Sequence, residues 1–150
     1  MISLLDEIGP GLSGLGQLRA MIASGRRPGM ADSLDFTLVE AEEGRAVFEA
    51  VPGRHAYNPI GTVHGGYAAT LLDSACGCAV HSRLTATQGY TTLELKVSYH
   101  RPITADTGLV RAEATLVSFG RRAAFAQATL TDAAGRVYAT ATSTLLVFER

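Results

Sequence analysis

Apolar residues along this chain change their spacing several times, and each change marks an element. Leu12, Leu15, Leu18, Met21 and Ile22 recur at helical spacing. This predicts a helical N-terminal segment over residues 1–27, with Pro28-Gly29 as its stop. Leu34, Phe36 and Leu38 then alternate, Glu42-Glu43-Gly44-Arg45 turns, and Ala46, Phe48 and Ala50 alternate again, which predicts a hairpin over Ser33–Ala50. Pro52 to Val63 reads as a loop punctuated by Gly53, Pro59 and Gly61. From His64 to about Arg83, residues Ala68, Ala69, Leu71, Leu72, Ala75, Cys76, Ala79 and Val80 cover a wide arc, so this helix should be mostly buried. Four strand-like runs follow: Gly89–His100, Gly108–Ser118, Arg122–Thr131 and Val137–Phe148. Their short separators predict antiparallel meander connections.

The order is a helical segment, two strands, one buried helix and four strands. An α+β domain follows if a six-stranded antiparallel sheet curls around the one apolar helix. We place the N-terminal segment at residues 1–30 and the sheet-and-helix domain at residues 31–150. Ala124, Ala126, Ala128, Ala139 and Ala141 leave a concave face with room for a close helix.

Composition narrows the function classes. The chain has 150 residues, 47% of them hydrophobic, and a formal net charge of −1. That suits one domain with a real core and gives no global field to recruit nucleic acid or an anionic membrane. Met-Ile-Ser-Leu-Leu-Asp-Glu lacks the basic start of a signal peptide. No apolar run approaches the roughly 18 residues of a membrane span. Cys76 and Cys78 sit two apart on one helix and point to different sides, so no bridge is expected. A reducing, cytoplasmic setting is the expectation. The four histidines show no metal-ligand spacing, and no metal is expected.

The candidate chemistry gathers around Asn58-Pro-Ile-Gly-Thr-Val-His64-Gly65-Gly66, with Asp73 nine residues beyond His64. Paired glycines at a helix start and an acid at the edge of its apolar arc do not help a bare helix. Asp73 lies more than two turns in, beyond the reach of the helix dipole. A partly desolvated carboxylate there can act as general base or nucleophile. Gly65 and Gly66 fit a plain loop-to-helix junction. They also fit a place where a substrate oxygen meets unpaired first-turn N–H groups at the positive helix end. Gly65 and Asp73 are eight residues apart, roughly 12 Å along a helix, too far for one reacting carbonyl. A site shared between subunits is therefore expected, Gly65 from one chain and Asp73 from its partner. Asn58 is a natural turn former before Pro59, and His64 a natural local cap. Thr91 and Thr92 open the strand after the helix, where β-propensity alone accounts for them. Arg121-Arg122 sit in a hairpin turn and could meet phosphates.

Together these residues resemble the hotdog-fold acyl-CoA thioesterases of the phenylacetic-acid-degradation type, over nearly all of residues 33–148. Asn58, the His64-Gly65-Gly66 triplet and Asp73 match that family's pattern in type and spacing. The strand Thr92-Leu-Glu-Leu-Lys-Val-Ser-Tyr-His-Arg101-Pro102 looks like its counterpart there. The resemblance implies a curled sheet around a central helix, and a homodimer with two composite sites, often paired into a homotetramer. It implies that Gly65 N–H polarises a thioester carbonyl and that the partner's Asp73 is nucleophile or general base. Asn58 would orient thioester or water, Thr92 or Thr91 would be a polar helper, and Arg121 or Arg122 would hold CoA phosphates. No cofactor is implied beyond the CoA of the substrate. Aryl, arylacetyl and medium-chain acyl groups all stay open.

Two other readings compete. Asn58-Pro59-Ile60 superficially resembles the hotdog enoyl-CoA hydratase motif, but Gly61 stands in place of its histidine and His55 or Ala56 in place of its aspartate. A non-catalytic acyl-CoA binding or sensing module would not need an intact Asp73 and Asn58. It would also need an effector domain larger than the N-terminal segment.

Overall fold

The computed structural model describes residues 2–150; Met1, the first residue of the expected helical segment, lies outside the described residues. Three short helices come first: α1 (Leu4–Ile8), α2 (Gly14–Ser24) and α3 (Gly29–Leu34). Pro10, flanked by glycines, has no N–H with which to continue α1. Ser13 restarts the chain as the cap of α2, accepting from Gly16 N–H. Pro28-Gly29 was expected to stop the segment and instead opens α3, since proline's fixed φ suits a helix entry. Ser33 and Leu34 therefore close a helix rather than start a strand, and α3 crosses the expected boundary at residue 30.

The sheet strands are β1 (Phe36–Glu42), β2 (Arg45–Ala50), β3 (Gln88–Tyr99), β4 (Val110–Phe119), β5 (Ala123–Asp132) and β6 (Val137–Glu149); α4 spans Gly65–His81. All pairs are antiparallel, in the order β1-β2-β4-β5-β6-β3. This corrects the expected meander: β3 does not pair with β4. It pairs with β6 at the far edge, and the segment after it carries the chain back past the start of α4, where Val63 N–H donates to Ile103 O at 2.8 Å. Side-chain alternation reports which face a residue lies on, not which strand lies beside it, so this swap leaves no mark in the pattern.

The sheet curls because its inner face is small. Ala46, Ala114, Ala128 and Ala141 stand opposite one another across β2, β4, β5 and β6, all buried. Over this shallow rank lie Leu71, Leu72, Ala75, Ala79 and Val80 of α4, none of them exposed to solvent. A hydrophobic helix wrapped by an alanine-lined sheet is the hotdog arrangement.

The N-terminal helices dock on the far end of α4. Gly14 N–H donates to Leu84 O at 2.9 Å, and a Cβ on Gly14 would run into the His81 carbonyl. His81 Nε2 meets Gln17 Oε1 at 3.0 Å, and Gln17 Nε2 reaches Asp6 at 3.3 Å. Burial pushes the His81 imidazole down to about 4, with Arg150 adding to the effect and Asp6 opposing it.

Two outcomes follow from this docking. Gly14→Ala should lower stability by about 1–3 kcal/mol through overpacking, seen as a reduced Tm in thermal unfolding. His81 is neutral in the folded chain down to about pH 4, while unfolded histidine takes a proton near 6.5. Between those values the unfolded state binds more protons, so stability should fall as pH drops from about 6.5 towards 4. Urea unfolding across that window should show a steeper fall for wild type than for His81→Gln.

Candidate active site

The first turn of α4 is built by close approach. His64 is its cap, in extended backbone, and its Nδ1 accepts from Gly66 N–H at 2.8 Å. An accepting Nδ1 places the proton of the neutral ring on Nε2. A Cβ on Gly66 would sit 2.9 Å from that Nδ1. A Cβ on Gly65 would sit 3.1 Å from the Tyr99 ring, whose hydroxyl donates to Gly65 O at 2.7 Å. Both glycines thus have a packing reason. The amides that follow are engaged, Gly66 by the cap and Tyr67 by His64 O. Gly65 N–H has no acceptor among the described residues. It borders a cleft of about 340 Å³ shared by His64, Gly65, Tyr99, Arg101 and Ile103.

The loop before α4 is held rigidly. Asn58 Nδ2 donates to Thr62 Oγ1 at 2.9 Å, and Asn58 Oδ1 accepts from Ile60 and Thr62 N–H at 3.1 Å each. One N–H and the carbonyl oxygen of the Asn58 side chain thus brace its own turn, the local role its position before Pro59 suggested, and the second Nδ2 N–H has no acceptor among the described residues. Tyr57 Oη accepts from Ala105 N–H at 2.8 Å, tying this loop to the return segment.

Asp73 is half-buried on the flank of α4, and Thr92 Oγ1 donates to its Oδ1 at 3.1 Å. Thr91 is exposed and makes no such contact; of the two threonines it is Thr92 that meets the acid. The neighbouring cysteines offer no competing nucleophile. Burial pushes the Cys76 and Cys78 thiols up to about 12, and an un-ionised thiol is a poor nucleophile.

Asp73 and Gly65 are not brought together within one chain. Asp73 is tied to β3 at Thr92 and Gly65 at Tyr99, seven residues further along the strand. An odd separation would normally put these two side chains on opposite faces. A register shift between Thr92 and Glu94 takes up one residue, Leu93, so both Thr92 and Tyr99 turn towards α4. Arg121 and Arg122 are exposed on the β4–β5 turn, beside Leu146 and Phe148 and remote in register from Gly65. Sequence reasoning did not single out Tyr99 or Arg101 as site residues; Arg101 is exposed and makes no ion pair among the described residues. The mark of Tyr99 is the glycine opposite it, which only the fold pairs with it. No group of three His, Cys, Asp or Glu side chains that could hold a metal occurs among the described residues. No helix among them is long and apolar enough to cross a membrane.

Comparison with known proteins adds the family. A candidate esterase of Halobacterium salinarum is 45% identical over 62 residues, 37% of this chain; the chain matches about 41% of the length of that curated relative. A phenylacetic acid degradation-related thioesterase candidate of Ralstonia eutropha superposes with a TM-score of 0.77 at 28% identity, covering 86% of this chain and 98% of that one. A mutant of the phenylacetic acid degradation protein PaaI of Thermus thermophilus does so with a TM-score of 0.72 at 27% identity, covering 79% and 98%. The profile of the Thioesterase superfamily matches residues 60–139, which take in α4 with Gly65 and Asp73 and run to the start of β6, and this chain belongs to that superfamily.

Proposed function

We propose that the protein hydrolyses acyl-CoA thioesters in a site completed by two copies of the chain. What carries the reading is the pairing of a free helix-start amide at Gly65 with a half-buried acid at Asp73, fixed to two points of one edge strand. The outer edge of β3 is unpaired within the chain, and a twelve-residue unpaired edge is a template for a second strand. If two β3 strands pair antiparallel about a two-fold axis between Leu95 and Lys96, Thr92 of one copy stands opposite Tyr99 of the other. Asp73 of one copy then approaches Gly65 of the other, closing the gap that a single helix leaves open.

In that site the substrate carbonyl oxygen accepts from Gly65 N–H, which stabilises the oxyanion as it forms. Thr92 holds the Asp73 carboxylate. Asp73 either takes a proton from an attacking water or attacks the carbonyl carbon itself. The C–S bond breaks, CoA leaves as its thiol, and the oxygen of water ends in the carboxylic acid. Arg101 near Gly65, and Arg121 with Arg122 at the other end of the sheet, are cations suited to the CoA phosphates.

Thiol release from an acyl-CoA panel tests this directly. Wild type should release CoA, and Asp73→Ala should lose about 10²–10⁴-fold in kcat, the usual worth of a positioned acid or base. Silence of wild type on every aryl, arylacetyl and aliphatic thioester would defeat the reading. The shared site has its own test. Gly65→Val subunits mixed with Asp73→Ala subunits should regain activity that neither parent has, since one site of each mixed dimer is intact. Absence of recovery in verified mixed dimers would place both groups in one chain's site.

A further inference from the structure

A second cavity, of about 340 Å³, lies beneath the three N-terminal helices. Leu5 and Met30 line it from above, Phe48 from the sheet, and Ser74, Cys78 and Tyr90 from below. Its position relative to Asp73 is fixed on two elements. Ser74 follows Asp73 directly on α4, and Cys78 lies one turn beyond Ser74. Tyr90 lies two residues before Thr92 on β3, before the register shift, and so on the same face. Residues next to Asp73 on α4 and next to Thr92 on β3 thus form part of the cavity wall, although neither Asp73 nor Thr92 is itself in the lining.

Its lining suits an apolar guest. Leucine, methionine and phenylalanine make up half of the wall, with Pro28 and Ala31 adding to its apolar part, and no arginine or lysine reaches it, so it does not suit the phosphates or the polar arm of CoA. Its volume is at the lower end of the roughly 300–1,000 Å³ of small-molecule pockets. A methylene takes about the room of one water, roughly 30 Å³, so a straight tail of up to about ten carbons fits. Met30 is 62% exposed yet lines this cavity. An unbranched thioether side chain at a pocket rim adapts readily to a flexible chain.

We propose that this cavity receives the acyl tail, that the substrate is a medium-length straight-chain acyl thioester, and that the N-terminal helices set the chain length through Met30. The proposal rests on Asp73 being the hydrolytic acid. It goes further in giving the segment before residue 35 a role in specificity, for which the catalytic pattern makes no provision.

The test measures kcat/KM for straight-chain acyl-CoAs from two to twelve carbons, together with Kd for S-alkyl-CoA thioethers of the same lengths, which cannot be hydrolysed. Both should improve about fourfold per added methylene, the worth of burying one such group, and level off near ten carbons. Met30→Trp fills the rim, and it should lower the decanoyl-to-butyryl ratio of kcat/KM about tenfold or more. Ser74→Leu, which fills the cavity from the α4 side, should lower the corresponding ratio of thioether affinities. If wild type hydrolyses thioesters but neither variant moves these ratios, the cavity is not the tail site and the hydrolytic reading survives. If no thioester is hydrolysed while thioether affinity still climbs with length and both variants cut the climb, the tail site stands and the hydrolytic reading falls. A Kd independent of chain length in wild type overturns the proposal whatever the hydrolysis result.

Discussion

The burial of α4 within an alanine-lined sheet is the constraint on which the rest of the structure depends. Four alanines in register across β2, β4, β5 and β6 let the sheet bend close around Leu71, Leu72 and Val80. Larger residues at those positions would hold helix and sheet apart, and cores resist such added volume. Once α4 is enclosed, only its ends and one flank are left for chemistry. The N-terminal end presents the Gly65 amide, and the flank towards β3 presents Asp73. The C-terminal end is occupied by α2 through Gly14, Gln17 and His81.

The edge strand β3 turns that enclosed helix into a site. It touches the acid through Thr92 and the helix start through Tyr99, and the extra residue at Leu93 lets both point inwards. Without the bulge, a strand that faced Asp73 with Thr92 would turn the hydroxyl at position 99 away from Gly65. Bulges re-aim side chains at a small local cost in pairing. Here the same bulge leaves Leu93 itself 59% exposed on the strand's surface.

Much of this was legible in the sequence because the patterns that announce it are local. The α4 arc and the last three strands appear within one or two residues of their expected bounds, and the hairpin of β1 and β2 ends where expected but starts three residues late, at Phe36. The glycine pair and the intruding acid stood out because each breaks a local rule, and such breaks gather at working sites. What escaped is what only the folded chain brings together. The placement of β3 beside β6 depends on a return segment whose path no periodicity records. The choice between Thr91 and Thr92 depends on which face of β3 meets α4. For Asn58 the three side-chain hydrogen bonds to its own loop are likewise visible only in the folded chain.

The N-terminal helices show why a domain's edge deserves the same reading as its motif. They are short, they carry none of the site pattern, and a sequence reading sets them apart as an addition. Yet α2 docks on α4 as closely as it does because position 14 carries no side chain, a Cβ there running into the His81 carbonyl. Docked, the helices close a cavity whose floor includes Ser74, the residue after Asp73 on α4, and Cys78 one turn beyond it. A carboxylate held by a threonine is chemistry that many substrates could use. The volume further along α4 is peculiar to the elements that enclose it, so the proposed reactivity and the proposed selectivity belong to segments about forty residues apart. The first can stay fixed while the second is reshaped, because Met30 touches the cavity without touching the acid.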